Sequence, residues 1–210
     1  GGGTDYPAWW HQHGGVVIGT TINKYCYLTV NRLRPFFAFN YRIIWSKIED
    51  VVKIDDIEHP AVRAILKGLS FGNEGLEISY RADLPARSGL GTSSSFTVGL
   101  LNALGALRGA RVSKKRLADE AIYYEQTVMR ESVGCQDQIW AAYGGFNIIE
   151  FFSGPDTHYR VIPLDFRGMS NLCSSFMLFF TGFTRAASVL AQRQIDNMGQ
   201  NTSILNEITD

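Results

Sequence analysis

Cysteine is scarce in this chain. Cys26, Cys135 and Cys173 are three in 210 residues, odd in number and far apart. They fit neither a disulfide framework nor a zinc site, and read as free thiols of a reducing cytoplasm. Net charge is absent as well, at +0, and no basic run stands out. That argues against a nucleic-acid surface. No apolar stretch approaches a membrane span, and no charged-then-apolar leader opens the chain. Gly-Lys-Ser/Thr is missing too, which excludes a Walker-type phosphate loop. Apolar residues, in contrast, are plentiful at 45%. A folded core is therefore expected, of one large domain or one and a half small ones.

The stretch from Asp83 to Ser95, Asp-Leu-Pro-Ala-Arg-Ser-Gly-Leu-Gly-Thr-Ser-Ser-Ser, organises the rest. A strand enters it: Leu76, Ile78 and Tyr80 alternate with Glu77, Ser79 and Arg81, the period of a half-buried strand. Pro85 stops that strand, having no N–H for the ladder. A helix leaves it, with Phe96, Leu100, Leu101, Leu104 and Leu107 on one broad face. Between them lie Gly89 and Gly91, which let a backbone approach a ligand without a Cβ in the way. Leu90 separates them. Thr92, Ser93, Ser94 and Ser95 follow, at a helix N-terminus whose dipole favours an anion. One hydroxyl suffices to cap a helix; four in a row exceed that need. The stretch reads as a phosphate cradle. It is a poor dinucleotide fingerprint, because Ser94 stands where a third Gly or Ala belongs.

A second signal follows. Ser113 caps a helix on which Ala118, Ile122, Glu125 and Met129 share one stripe. Glu125 interrupts an apolar face, and a half-buried carboxylate is costly unless paired or bound to metal. A salt bridge and a metal ligand both satisfy that pattern. Val133 to Gln138 reads as a loop containing Asp137, and Gly144-Gly145 precedes a strand over Phe146–Phe152. An Asp in a loop is by itself a turn former.

Elsewhere the pattern predicts strands over Val16–Ile22, Tyr25–Val30, Ile43–Ser46, Tyr159–Leu164 and Ser175–Thr181. Helices are expected from His59-Pro60 to about Lys67 and over Thr184–Met198. Trp45 suits either an adenine or a core. His11 and His13 lack a third ligand at useful spacing, so a packed loop is expected there. Arg185, in a strand-to-helix turn, is a surface cation or a second anion site. The chain opens without Met and ends in a helix pattern with no stop signal, so a longer parent protein is expected.

The order Pro-x-x-x-Gly-Leu-Gly-Thr-Ser-Ser resembles the second motif of the GHMP kinases, the family of galactokinase, homoserine kinase, mevalonate kinase and phosphomevalonate kinase. Gly2-Gly3-Thr4-Asp5-Tyr6 resembles their first motif, in the form of the heptose 7-phosphate kinase and fucokinase-like branch. The third family motif, a Gly-rich loop near the C-terminus, has no counterpart here. The resemblance implies an α+β fold, mostly antiparallel sheet with helices on one side. An ATP-binding domain would span residues 1–168, and 169–210 would begin a second domain. It implies ATP and Mg²⁺ as donor and cofactor, the phosphates on Gly89 to Ser95, and Mg²⁺ on Ser93 and Glu125. Asp137 would be the base, since Gly-x-x-Asp before Gly-Gly resembles the catalytic loop of the mevalonate kinase and galactokinase branches. Gly3, Thr4, Asp5 and Arg185 would meet a small-molecule sugar or sugar phosphate. The favoured acceptor is heptose 7-phosphate at its anomeric oxygen. Fucose, galactose or mevalonate, or a fragment that binds anions without turnover, are the alternatives. A cytoplasmic protein without nucleic-acid or membrane partners is expected; oligomeric state is left open.

Overall fold

The computed structural model describes residues 3–72, 74–85, 88–155, 157–165, 171, 174–177, 179 and 187–209, with backbone alone for 187–190, 208 and 209. Two sheets carry the fold. Strands β2 (Cys26–Arg32), β3 (Tyr41–Ile44), β4 (Ile48–Val51) and β5 (Leu76–Ala82) form one, in the order β2-β5-β3-β4. Strands β1 (Gly15–Thr20), β6 (Phe146–Phe152) and β7 (His158–Pro163) form the other, in the order β1-β6-β7. Every pairing is antiparallel except β3 with β5, where Tyr41 lies opposite Leu76. A parallel pair needs a crossover, and β4 with helix α2 (Pro60–Gly68) supplies it.

Helices cover one face of each sheet. Leu76 and Ile78 of β5 and Tyr41 and Ile43 of β3 are buried against α2 and the long helix α3 (Thr92–Leu107). Phe96, Leu100, Leu101 and Leu104 bury the α3 face that the spacing predicts. A Cβ on Gly99 would come within 2.7 Å of Leu28 Cδ1, so a glycine lets α3 settle on β2. The second sheet buries Val17, Ile149 and Phe151 beneath α4 (Lys114–Ile122), α5 (Gln136–Tyr143) and α1 (Pro7–His13). Two more helices, α6 (Ala187–Asp196) and α7 (Thr202–Thr209), follow, and Met198 and Leu205 close on Trp9.

Several elements differ from the sequence pattern. Residues 7–13 form a helix rather than a loop, with Pro7 at its first position and Trp9 and Trp10 buried. Seven residues hold too few apolar positions to show a helical period. Trp45 belongs to the core margin: its Nε1 donates to Glu49 Oε1 at 2.8 Å and its ring meets His59 edge-on. Of the strand expected over Ser175–Thr181, no described residue lies in a sheet. The expected domain boundary at 168, Arg185 and Cys173 lie outside the described residues. Cys26 and Cys135 are free thiols, and burial pushes Cys135 up to about 12. No helix among the described residues is long and apolar enough to cross a membrane.

Helix α2 ends in a left-handed turn at Ser70 (φ 56°), where Ser70 N–H donates to Lys67 O and Phe71 N–H to Leu66 O. That position favours glycine, because an L side chain there costs about 1–2 kcal/mol. Allowing for glycine's extra chain entropy, Ser70→Gly should stabilise the protein by roughly 0.5–1 kcal/mol. Urea denaturation checks this; an unchanged or lower midpoint contradicts it.

Candidate active site

The phosphate stretch folds as a sharp turn into α3. Gly89 (φ 76°) and Gly91 (φ 68°) both take left-handed conformations. A Cβ on Gly89 would meet nothing within 4 Å, so that turn faces open space. Gly91 is the residue before the helix and has no capping side chain. The first helical closure is Ser95 N–H to Gly91 O at 2.9 Å. The N–H groups of Thr92, Ser93 and Ser94 thus have no acceptor among the described residues. A helix start left open in this way favours an anion.

Asp137 stands beside this turn. A Cβ on Gly91 would come within 3.3 Å of Asp137 Cγ. Asp137 is not in a loop as its sequence suggests: α5 begins at Gln136, so Asp137 sits in the first helical turn. Together with Thr20, Lys24, Gly89, Gly91 and Trp140 it lines a cleft of about 260 Å³. The carboxyl presents surface to that cleft, yet its walls crowd it. Burial, then the charges of Asp5 and Glu125, push it up to about 6.

Glu125 lies behind the turn and is fully buried. The straight helix implied by its stripe becomes a wider π-helical turn over Tyr123–Val128. Such single turns are frequent at functional sites. No ion pair reaches Glu125 among the described residues, so the salt-bridge alternative fails there. Its Oε2 instead accepts from Ser94 Oγ at 2.9 Å and from Gln138 Nε2. Ser93 is exposed and has no hydrogen bond to Glu125 among the described residues, because one step along a helix turns the side chain by about 100°. Glu125 Oε1 is buried without a hydrogen-bond partner among the described residues. Burial pushes the carboxyl up, while the nearby Thr97, Gln138 and Ser94 side chains pull it down.

The first motif approaches from the other side. Asp5 is 1% exposed. Its Oδ2 accepts from Gln136 N–H at 3.3 Å, and its carbonyl from Cys135 N–H at 3.2 Å. Its Oδ1 has no partner among the described residues. A Cβ on Gly134 would fall 1.8 Å from Asp5 Oδ2, so glycine there lets the two motifs meet. Asp5, Tyr6, Gly134, Asp137 and Ala191 line a smaller cleft of about 90 Å³. Thr4 does not face it. Thr4 is fully buried, and its Oγ1 donates to Val16 O at 2.8 Å, fastening the turn to β1. Gly3 (φ 102°) lies beneath the Gln194 side chain. Both residues are buried in this structure. Gln138 carries no signal of its own in the sequence; the Gln-Asp-Gln run around Asp137 is the nearest to one.

Residues 57–145 match the family described as GHMP kinases N terminal domain. This stretch is similar to a GHMP kinase N-terminal domain. It contains the open turn, Glu125 and Asp137. Over 97% of its length the chain is 28% identical to a D-glycero-alpha-D-manno-heptose 7-phosphate kinase of Campylobacter jejuni, of which it covers 62%. Over 62% of its length it is 29% identical to a bifunctional fucokinase/GDP-fucose pyrophosphorylase of Arabidopsis thaliana, of which it covers 12%. The chain therefore spans about three-fifths or less of these curated relatives. Among solved structures, a D-glycero-D-manno-heptose 1-phosphate kinase from Bacteroides thetaiotaomicron superposes with a TM-score of 0.70 at 26% identity. That match covers 80% of this chain and 57% of the other. A sugar kinase structure from Campylobacter jejuni, at 22% identity and a TM-score of 0.65, shares the fold over 93% of this chain and 71% of its own. The α+β fold with helices on one sheet face is that of the GHMP kinases.

The site carries a stability signature. A carboxyl held above its unfolded value binds its proton more tightly in the fold. The Asp137 contribution is thus present below about pH 4, where both states are protonated, and is lost as pH rises to about 6. Asp137→Asn removes that loss. The variant's melting temperature should exceed wild type by a wider margin at pH 7.5 than at pH 4. Equal margins in calorimetric scans at the two pH values contradict the placement of this charge.

Proposed function

We propose that the protein is an ATP-dependent kinase acting on a sugar hydroxyl, with heptose 7-phosphate at its anomeric oxygen as acceptor. One observation carries the reading: an uncapped helix start with two left-handed glycines faces a cleft that also holds Asp137. The heptose kinase relatives support the acceptor, and the fucokinase relatives favour fucose as the second candidate.

In this reading the N–H groups after Gly91 hold the donor phosphates. Asp137 accepts the acceptor's hydroxyl proton while the oxygen bonds to the terminal phosphorus and ADP departs. A carboxyl near 6 is largely ionised at neutral pH and still basic enough to take a proton late in transfer. Asp5, which lines the smaller cleft, would orient a sugar hydroxyl there.

The residues fit a hard divalent cation. Glu125 offers a buried Oε1 without a hydrogen-bond partner among the described residues, beside a hydroxyl of the first α3 turn. Among the described residues no cluster of three or more metal-binding side chains exists. Few protein ligands, with water and phosphate completing the shell, is the habit of Mg²⁺ rather than of a caged metal. When bound, Mg²⁺ would offset charge on the phosphate oxygens.

A coupled ADP assay of the full-length protein against heptose 7-phosphate, fucose, galactose and mevalonate tests the reading. Turnover with heptose 7-phosphate is expected, and Asp137→Asn should lower kcat about 10²–10⁴-fold with little change in KM for ATP. Turnover of mevalonate with no sugar accepted would overturn it.

A further inference from the structure

Acidic groups gather at this site: Asp137 lines both clefts, Asp5 lines the smaller one, and Glu125 is buried behind the turn. Asp5, Glu125 and Asp137 all stand above their usual range through burial, and Asp137 also through the charges of the other two. A polyphosphate cannot approach such groups without positive charge to meet it. Among the described residues lining the Asp137 cleft, one carries a cation: Lys24. It also lines the adjoining small cleft, with Tyr25, Leu84, Leu90, Thr92 and Ser95.

The segment bearing Lys24 is fastened at both ends. Thr21 N–H donates to Gly145 O at 3.0 Å, and Gly145 N–H donates back to Thr21 Oγ1 at 2.9 Å. Tyr25 N–H donates to Asp83 Oδ2 at 2.9 Å, and Asp83 N–H to Tyr25 O at 2.9 Å. One tie reaches the end of α5 and the other the start of the phosphate turn. The Lys24 backbone is therefore held at a set distance across the cleft from Gly89 and Gly91. Seven cations elsewhere among the described residues are committed: Arg32, Arg42, Lys47, Lys67, Lys115, Arg116 and Arg160 each pair with a carboxylate. Lys24 is exposed and has no hydrogen bond or ion pair among the described residues.

We propose that Lys24 is the side chain that holds the donor's outer phosphates, closing from the β1–β2 connection onto the open start of α3. The inference rests on the nucleotide-dependent reading of this site. A flexible ammonium with three donors suits a phosphate whose charge shifts during transfer. Its contact is with the polyphosphate, not with the base or sugar of a nucleotide.

Calorimetric titration of the full-length protein with Mg-ATP and with adenosine separates the cases. Lys24→Met should weaken Mg-ATP binding about 10–100-fold, the scale of one charge-assisted contact. It should leave adenosine binding and the melting temperature unchanged, and Lys24→Arg should recover most of the loss. Unchanged Mg-ATP affinity in Lys24→Met would overturn the inference while leaving the nucleotide reading standing. Equal loss of ATP and adenosine would overturn it in favour of a structural role. A wild-type protein that binds neither ligand would overturn the nucleotide reading, and this inference with it.

Discussion

Burying a carboxylate without a cation is the physical constraint on which this structure turns. Glu125 is fully buried and Asp5 nearly so, and each keeps one oxygen without a partner among the described residues. Unpaired buried acceptors are rare because each forfeits its hydration. The fold tolerates them through neutral donors and helix starts. Ser94 and Gln138 hold Glu125, while the first N–H of α5 holds Asp5. Those donors fix orientation without cancelling charge. A site arranged in this way stores instability that a cationic ligand relieves.

The two glycine contacts show how sequence produces that arrangement. Gly91 lets the phosphate turn close against Asp137, and Gly134 lets Asp5 close against the start of α5. A methyl at Gly134 would collide with Asp5, and one at Gly91 would crowd Asp137. Three distant segments, around residues 5, 91 and 135, are thereby brought to one place. The paired strands behind them hold the arrangement steady: β1 against β6, and β5 against β2 and β3.

Much of this was legible in the chain. The alternation at Leu76–Arg81 and the apolar face after Ser95 placed β5 and α3, because burial of one face imposes its period on the sequence. The Gly-Leu-Gly and hydroxyl run announced a turn opening a helix, and Glu125 on an apolar stripe announced a buried carboxyl. What the chain did not show is who meets whom. Ser93 and Ser94 are chemically alike, and only the rotation of α3 against the π-helical turn selects Ser94 for Glu125. Thr4 looked like a ligand-facing hydroxyl, yet the turn at Gly3 sends it into the β1 backbone. Lys24 was silent because a lone lysine in a connection has no pattern. Its placement depends on two ties, to Gly145 and Asp83, that lie far away in sequence.

The central claim is that the open start of α3, facing Asp137, receives the transferred phosphate. A crystal structure of the protein with Mg²⁺ and a non-hydrolysable ATP analogue tests it most directly. The account predicts the outer phosphates against the N–H groups of Thr92 to Ser94, with Asp137 beside the terminal one and the cation at Glu125. An analogue seated away from Gly89–Ser95, with those N–H groups turned onto protein acceptors, would contradict it.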